Sequence, residues 1–174
     1  VETVGVGQNE VTVRSMVDFF LLVMIAGAGD ELQGMKKGVI EIADLLAVNK
    51  ADGDNVQKTK LASAEYNRVL HFLQPATKGW QTRCTTCSAL IPETLLQLWE
   101  VIEQFASETR ESGVFVKRRR HQSIEWMRSM IEEELLHRFY RNDRIKHLLP
   151  DIQRQVENQT LPAATAVRRI LGSL

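Results

Sequence analysis

The sequence predicts an α/β protein in which part of a parallel sheet is followed by an all-helical region. Up to about residue 90, short apolar runs alternate with helical patterns, as expected when helices join parallel strands. One of these segments, residues 18–25, is continuously apolar after Asp18, which indicates a strand buried on both faces. After about residue 91, apolar residues recur only at spacings of three and four, which is typical of amphipathic helices.

These patterns place the elements in order along the chain. In the first half they predict strands at 18–25, 45–48 and 83–87 and helices at 9–17, 32–43 and 54–73. The helix at 54–73 has an apolar stripe that we expect to be buried: Leu61, Ala64, Tyr66, Val69, Leu70 and Leu73. In the second half Pro92 can begin a helix, because the first turn tolerates proline. Ser112 and Gly113 should end that helix, and three further apolar stripes predict helices at about 124–135, 145–156 and 167–171.

Composition and charge exclude several classes of function. The 22 Lys and Arg residues balance the 22 Asp and Glu residues, so the net charge predicts neither a nucleic-acid nor a membrane partner. The longest apolar run, 19–28, is much shorter than the roughly 20 residues of a membrane span. The start carries no secretory signal and two cysteines form no disulfide framework, so we expect a cytoplasmic protein. Because the first residue is not Met and the start resembles the end of a strand, we also expect the natural chain to extend upstream.

Asn49, Lys50, Ala51 and Asp52 follow directly on the apolar strand predicted at 45–48. In parallel α/β folds, ligands lie at the carboxyl ends of the strands. A carboxylate at Asp52 can accept two hydrogen bonds from the N–H edge of guanine, a pattern that adenine does not offer. The stem of Lys50 can cover the face of the base. The alternative is an ordinary polar turn, because Asn, Lys and Asp are common in turns.

Two further segments favour the nucleotide interpretation. Ser88, Ala89 and Leu90 also follow a predicted strand, and a small residue there lets a backbone N–H approach the guanine oxygen. Glu2 is near a strand end with Gly5 shortly after it. This arrangement suits a carboxylate that holds Mg²⁺ through water and a glycine N–H that reaches the γ-phosphate. Each segment alone is common by chance, and their combination predicts a guanine-nucleotide site.

Taken together, these segments resemble the methylmalonyl-CoA mutase-associated GTPases, the MeaB or ArgK family of P-loop GTPases of the SIMIBI class. The resemblance is carried by residues 2–8, 27–38, 49–52 and 88–90 and by the helical tail with residues 122–126. It implies that the sheet is the C-terminal part of a P-loop NTPase sheet. It also implies a partial GTPase domain at 1–107 and a helical C-terminal extension at 108–174 that acts as the dimerisation arm of a homodimer.

The same resemblance assigns roles to individual residues. In the catalytic group, Glu2 would help to hold Mg²⁺ through water, Gly5 would sense the γ-phosphate, and Gln8 would lie with Gly5 in the second switch at 5–10. The residues that would bind the guanine base are Asn49, Lys50, Asp52, Ser88, Ala89 and Leu90. The residues that would form a switch coupling the partner protein to the nucleotide are Asp30, Glu31, Gln33, Lys36 and Lys37.

A family member would bind GTP or GDP with Mg²⁺, hydrolyse GTP, and act as a metallochaperone-type protein for an adenosylcobalamin-dependent methylmalonyl-CoA mutase, in cofactor loading and protection. The pattern Gly-x-x-x-x-Gly-Lys-Ser/Thr is absent from the sequence, so we expect the 174-residue chain alone to be inactive. One alternative is a catalytically inert module for dimerisation and partner binding. Another is a GTPase of the kind named as an ATPase or kinase of lysine, arginine and ornithine transport. A nickel-inserting GTPase ranks lower, because no cluster of Cys and His is seen.

Three other features have simpler interpretations. Cys84 and Cys87 have the C-x-x-C spacing of redox and zinc sites, but there is no second pair, so we interpret both as structural. The basic run 117–120 is interpreted as a solvated or inter-subunit salt-bridging face and not as a phosphate site. Trp99 and Trp126 lie on amphipathic helices and are expected to pack in the core or at a dimer interface.

Overall fold

The computed structural model of the protein describes residues 1–2, 10–26 and 37–173, except for the side chain of Lys37. The chain forms two compact units, Val1–Gln122 and Ser123–Leu174. The predicted division into a GTPase domain at 1–107 and a helical extension at 108–174 concerns function and stays a prediction.

The first unit contains a parallel three-stranded sheet with strand order β1-β2-β3. Its strands are β1 (Leu21–Ile25), β2 (Leu45–Asn49) and β3 (Arg83–Thr86). Its helices are α1 (Glu10–Met16), α2 (Lys37–Glu41), α3 (Val56–His71) and α4 (Pro92–Glu111), and a 3₁₀ turn at Gly53–Asn55 precedes α3. Leu45 to Val48 are fully buried in the central strand, because neighbours cover both faces of it. The predicted fold class is confirmed.

β1 is shorter than the predicted strand 18–25. The backbone N–H of Phe20 donates to the Asp44 carboxylate at 2.9 Å, and the Phe20 carbonyl accepts from the backbone N–H of Asp44 at 2.9 Å. Phe19 packs edge-to-face on Phe105 of α4, with ring centroids 4.8 Å apart. Residues 18–20 therefore form an anchored connection between α1 and the sheet, and the pairing with β2 begins at Leu21.

The predicted buried face of α3 was wrong in part. Leu61 is 66% exposed and Val69 40% exposed, and the face towards the sheet carries Thr59, Ser63, Tyr66 and Leu70. The hydroxyl groups of Thr59 and Ser63 can be buried there because each has a carbonyl partner. Thr59 Oγ1 donates within the helix, to the carbonyl of Val56 at 2.9 Å, and Ser63 Oγ donates to the carbonyl of Cys84 at 3.1 Å. Counting only apolar residues therefore identified Tyr66 and Leu70 on the buried face but missed Thr59 and Ser63.

The predicted boundaries of α4 are confirmed. Pro92 is in the first turn, and the helix ends at Glu111 with Ser112 as its C-terminal cap. Gly113 has φ +73°, a left-handed conformation that glycine adopts without strain. The next helix, α5 (Val114–Arg141), begins directly after this turn and well before the predicted position. The extra turns contain the basic run, whose Lys and Arg residues are good helix formers although they are not apolar.

The second unit is helical, as predicted, and contains α6 (Asp143–Glu157), α7 (Ala163–Leu171) and the end of α5. The side chain of Asn142 caps α6 by accepting from the backbone N–H of Arg144 at 2.9 Å. Ile145 and Ile152 are buried, as expected for two residues of one apolar stripe. The stripe predicted at 124–135 has a different environment, because Ile124, Met127, Ile131 and Leu135 are all about half exposed.

Trp99 and Trp126, which were expected in the core or at a dimer interface, are 56% and 71% exposed. Neither belongs to the core of the chain, so the dimer interface stays a prediction. Among the helices that the structure describes, none combines the length and the apolar character needed to cross a membrane.

Candidate functional site

The carboxyl end of β2 turns sharply at Lys50. Asn49 is the last residue of the strand, and its side-chain Oδ1 accepts from the backbone N–H of Lys50 at 2.7 Å. Lys50 itself has φ +60°, which a non-glycine residue adopts only when its surroundings impose it. The N–H of Ala51 then donates to the carbonyl of Cys87 at 3.0 Å. The predicted turn after β2 is therefore a fixed loop tied to the end of β3.

The two segments predicted to bind the base are in direct contact. The N–H of Cys87 donates to the carbonyl of Val48 at 2.9 Å, which brings the ends of β2 and β3 together. Just beyond, the buried Ser88 hydroxyl donates to Oδ2 of Asp52. The N–H of Leu90 donates to Ser88 Oγ at 3.1 Å. Parallel strands end at the same edge of a sheet, and this edge brings Asp52 and Ser88 together as the sequence predicted.

The exposure of these residues leaves the edge open to a ligand. Lys50, Ala89 and Leu90 are exposed, and Leu90 is 79% accessible. Asn49 and Asp52 are partly exposed. The edge thus offers a carboxylate acceptor, an exposed turn of backbone and a cationic side chain with an apolar stem. These groups suit a planar heterocycle with N–H donors and a carbonyl oxygen.

Sequence reasoning missed Thr94, which lies in the first turn of α4. Its Oγ1 accepts from the backbone N–H of Ser88 at 2.9 Å. Its hydroxyl proton faces the carbonyls of Ile91 and Ser88, at 2.7 Å and 3.1 Å. A Thr in the first turn after a strand-end serine was the available signal, because short hydroxyl side chains commonly bond to nearby backbone.

The predicted catalytic and coupling residues are mostly outside the described part. Glu2 is described and exposed, whereas Gly5 and Gln8 lie outside the described residues. The same holds for four residues of the coupling loop: Asp30, Glu31, Gln33 and Lys36. Lys37 begins α2, but its side chain lies outside the description. Within the described ranges, no group of three His, Cys, Asp or Glu side chains is placed to hold a metal. Base binding at the edge with Asp52 and Ser88 therefore stays a prediction, and so do the phosphate and Mg²⁺ contacts.

A second polar cluster surrounds Asp44, which directly precedes β2 and is fully buried. Arg14 of α1 donates through Nη2 to Asp44 Oδ1 at 3.0 Å, and its Nη1 lies 2.9 Å from Oδ2. Thr77 Oγ1 donates to Oδ1 at 2.5 Å, and Trp80 Nε1 donates to the Asp44 carbonyl at 2.8 Å. Burial lowers the pKa of Arg14, and the charge of Asp44 opposes this shift. The cluster anchors α1 to the start of the central strand.

The interpretation of the basic run as a solvated or inter-subunit face is wrong for Arg118, whose side chain is only 16% exposed, whereas Arg119 is exposed and pairs within the chain. Arg118 donates to Thr77 Oγ1 and to the carbonyl of Asp18, and its Nη1 lies 3.9 Å from Asp44 Oδ2. Arg119 forms a bidentate pair with the Asp18 carboxylate, which raises the pKa of Arg119. Asp18, which both arginines contact, is about 100 residues away along the chain. The first turns of α5 are thus bonded through these arginines to the rest of the first unit, to which they belong.

The two cysteines are buried and free. Burial raises the pKa of the Cys84 thiol to about 11 and also raises the pKa of Cys87. Both thiols are consequently protonated near neutral pH, where a reactive cysteine would be a thiolate. This agrees with the structural role predicted for both.

Comparison with known proteins adds an independent finding. The family described as "Methylmalonyl Co-A mutase-associated GTPase MeaB" matches residues 1–144. The chain is 41% identical over 170 residues to "GTPase ArgK" of Escherichia coli K12, covering 98% of this chain and 51% of that protein. It is 34% identical over 171 residues to "Methylmalonic aciduria type A homolog, mitochondrial" of Mus musculus, covering 98% of this chain and 41% of that protein.

A solved structure agrees with these sequence matches. The structure described as "Crystal structure of LAO/AO transport system kinase" superposes with a TM-score of 0.72 at 38% identity, over 98% of this chain and 54% of that one. The chain spans about half the length of the curated relatives that it matches. The extent of the family match leads to one conclusion. The chain belongs to the family of methylmalonyl-CoA mutase-associated GTPases.

Proposed function

We propose that the chain supplies the guanine-binding part of a protein that binds and hydrolyses GTP with Mg²⁺. The observation that carries the proposal is the contact between Asp52 and Ser88 at the joined ends of β2 and β3. The family membership supports it, because the relatives are named as GTPases.

In the proposed complex, the Asp52 carboxylate accepts the N1–H and 2-amino hydrogen bonds of guanine. The Ser88 hydroxyl donates a hydrogen bond to Oδ2 of Asp52 and holds the carboxylate in one orientation. The exposed Lys50 covers the face of the base with its stem, and the backbone of Ala89 faces the 6-oxo group. Adenine presents the opposite donor pattern, so it would leave the carboxylate unpaired, which disfavours adenine strongly.

Hydrolysis would use the predicted catalytic residues Glu2, Gly5 and Gln8. Bound Mg²⁺ would neutralise charge on the phosphates, and Glu2 would hold the ion through water. Because the phosphate-binding pattern is absent from this sequence, we expect the isolated chain to retain base preference and to show little or no hydrolysis.

Substitution of Asp52 by Asn tests the base-binding assignment. The affinities for GDP, ADP and xanthosine diphosphate would be measured by NMR titration up to millimolar nucleotide. We expect Asp52→Asn to lose the preference for GDP over ADP and to gain affinity for xanthosine diphosphate, because the Asn amide can donate to the additional oxygen of xanthine. Asp54→Asn is the matched control, since Asp54 is a neighbouring exposed acid. An unchanged preference for GDP in Asp52→Asn would show that Asp52 does not bind the base.

We further propose that the complete protein assists an adenosylcobalamin-dependent methylmalonyl-CoA mutase in cofactor loading and protection. The support is the description of the family as mutase-associated. The coupling residues proposed for this contact are Asp30, Glu31, Gln33, Lys36 and Lys37. The test is co-elution with such a mutase in size-exclusion chromatography, with and without GTP, and absence of a complex under all conditions would contradict the proposal. The two free cysteines suit the reducing cytoplasm, which we keep as the proposed location.

A homodimer is also part of the proposal, and the second unit offers a surface for it. Along one side of α5, the apolar residues Trp126, Met127, Met130, Ile131 and Leu135 are all at least half exposed. A continuous exposed apolar stripe of this kind commonly marks a protein interface. Sedimentation velocity would show a dimer for the wild-type chain and a monomer for Ile131→Asp. Glu132→Gln, an exposed neighbour on the same helix, is the control, and a monomeric wild-type chain would contradict the homodimer.

The inert-module alternative makes the opposite prediction for nucleotide binding. Calorimetry of the chain with GTP and Mg²⁺ distinguishes the two, because measurable affinity contradicts an inert module. The alternative of an amino-acid transport ATPase or kinase is favoured by one solved relative, which is named as a transport system kinase. Phosphate transfer from labelled GTP to a transport protein would support that alternative.

A further inference from the structure

Thr94 bonds to both sides of Ser88, the residue that begins the turn at the end of β3. Its Oγ1 accepts the Ser88 N–H at 2.9 Å, and the same hydroxyl lies 3.1 Å from the Ser88 carbonyl and 2.7 Å from the Ile91 carbonyl. The N–H of Ile91 also donates to the Ser88 carbonyl at 3.1 Å. The backbone of Ser88 is therefore held at its N–H and at its C=O by α4 and the residue before it.

This arrangement fixes the direction of one neighbouring N–H. The Ser88 carbonyl and the Ala89 N–H belong to the same planar peptide group, which is trans. In a trans peptide these two bonds point in opposite directions. Because the Ser88 carbonyl is directed at Thr94 and Ile91, the Ala89 N–H is directed away from α4. Ala89 is itself exposed, so this N–H lies on the open side of the turn.

We propose that Thr94 is a positioning residue for base recognition, which presents the Ala89 N–H to the 6-oxo group of a purine nucleotide. The inference rests on the proposed guanine-binding function and extends it to a residue outside the two strand-end segments. Asp52 and Thr94 then have separate tasks. Asp52 recognises the N1–H and 2-amino edge, and Thr94, acting through the backbone, sets recognition of the 6-oxo group.

Three nucleoside diphosphates separate these tasks in a binding experiment on the 174-residue chain. GDP and inosine diphosphate both carry the 6-oxo group, inosine diphosphate lacks the 2-amino group, and ADP lacks both. Thr94→Val removes the hydroxyl at nearly constant shape. We expect it to weaken GDP and inosine diphosphate equally, by about three- to tenfold, with the affinity for ADP unchanged. Thr94→Ser retains the hydroxyl and should restore both affinities.

Thr109→Val is the matched control, because Thr109 is a buried threonine of the same helix whose hydroxyl bonds to the Phe105 carbonyl at 2.6 Å. It should leave all three affinities unchanged. An equal loss of affinity for all three nucleotides in Thr94→Val would overturn the inference, because it would indicate a general structural role. An unchanged affinity for GDP in Thr94→Val would overturn it as well. If the wild-type chain bound GDP no better than ADP, or bound none of the three, the proposed function itself would fail, and this inference with it.

Discussion

Replacement of Asp44 by Asn removes one negative charge from the buried cluster at the start of β2. Oδ1 of Asp44 accepts hydrogen bonds from Arg14 Nη2 and Thr77 Oγ1. Oδ2 accepts from the Phe20 N–H and lies beside Arg14 Nη1. An Asn side chain has one acceptor oxygen and one NH₂ group. Whichever way the amide is turned, its NH₂ group faces two donors, and Arg14 loses its buried counter-charge.

The expected cost follows from this loss of pairing. Removing one partner of a buried ion pair costs about 3–5 kcal/mol, because the remaining charge stays buried without compensation. The Asp44 side chain is completely buried, and 13% of the Arg14 side chain is accessible. Solvent therefore screens the pair little. We expect a loss of about 3–5 kcal/mol in the free energy of unfolding of the first unit.

The assay needs a signal from the first unit alone, and Trp80 provides it. Trp80 is buried and bonds to the Asp44 carbonyl, whereas the other two tryptophans, Trp99 and Trp126, are exposed. In a background with Trp99→Phe and Trp126→Phe, urea unfolding followed by Trp80 fluorescence gives the stability of the unit. Asp54→Asn is the control, because Asp54 is an exposed acid of the same unit, where a substitution typically changes the free energy of unfolding by no more than about 0.5 kcal/mol.

A loss below about 1 kcal/mol for Asp44→Asn would refute the reasoning. It would show that the pair with Arg14 contributes no more than an exposed ion pair does. A changed slope with an unchanged midpoint would instead indicate a change in the surface exposed on unfolding, and it would also count against the loss of a native ion pair as the cause.

Three further predictions concern other parts of the molecule. Because burial raises the pKa of Cys84 from its ordinary value of 9.0 to about 11, the folded state keeps a proton that the unfolded state loses. The free energy of unfolding should therefore fall as the pH rises from 9 to 11, and it should fall less in Cys84→Ala, which lacks the thiol. Asn142→Ala removes the cap of α6 and should cost about 0.5–2 kcal/mol by thermal unfolding followed by circular dichroism. Arg118→Met should destabilise the first unit more than Arg119→Met in urea, because Arg119 is 61% exposed and Arg118 only 16%.

The elements that could be predicted from the sequence are those whose burial is visible in a local run of apolar residues. Leu45 to Val48 form a continuous apolar run, and burial on both faces of β2 explains it. The buried face of α3 was only partly predictable from apolar periodicity, since Tyr66 and Leu70 follow the pattern but Thr59 and Ser63 are buried through hydroxyl contacts. The role of Arg118 was not predictable either, because its partner Asp18 is 100 residues away and no local pattern connects them.

In the candidate site, too, some residues could be predicted from the sequence and others could not. Asp52 and Ser88 could be predicted because each follows a strand, and parallel strands bring their ends to one edge. Thr94 could not be singled out, because its contacts go to backbone groups of the preceding turn, and such contacts have no residue pattern specific to nucleotide binding. The turn conformation of Lys50, with φ +60°, was equally invisible in the sequence, since lysine has no preference for it.

The two polar clusters lie at opposite ends of β2 and have different chemistry. Asp44 precedes the first residue of the strand and Asn49 is its last, so the strand separates them by roughly 15 Å. At the first end, buried charges anchor a helix, and at the other, partly exposed groups form an open edge. Substitutions at sites this far apart act additively unless they share a partner. A variant at Asp44 should therefore lower stability without altering the GDP-to-ADP preference, and a variant at Asp52 should do the reverse, because stability and base recognition depend on different groups.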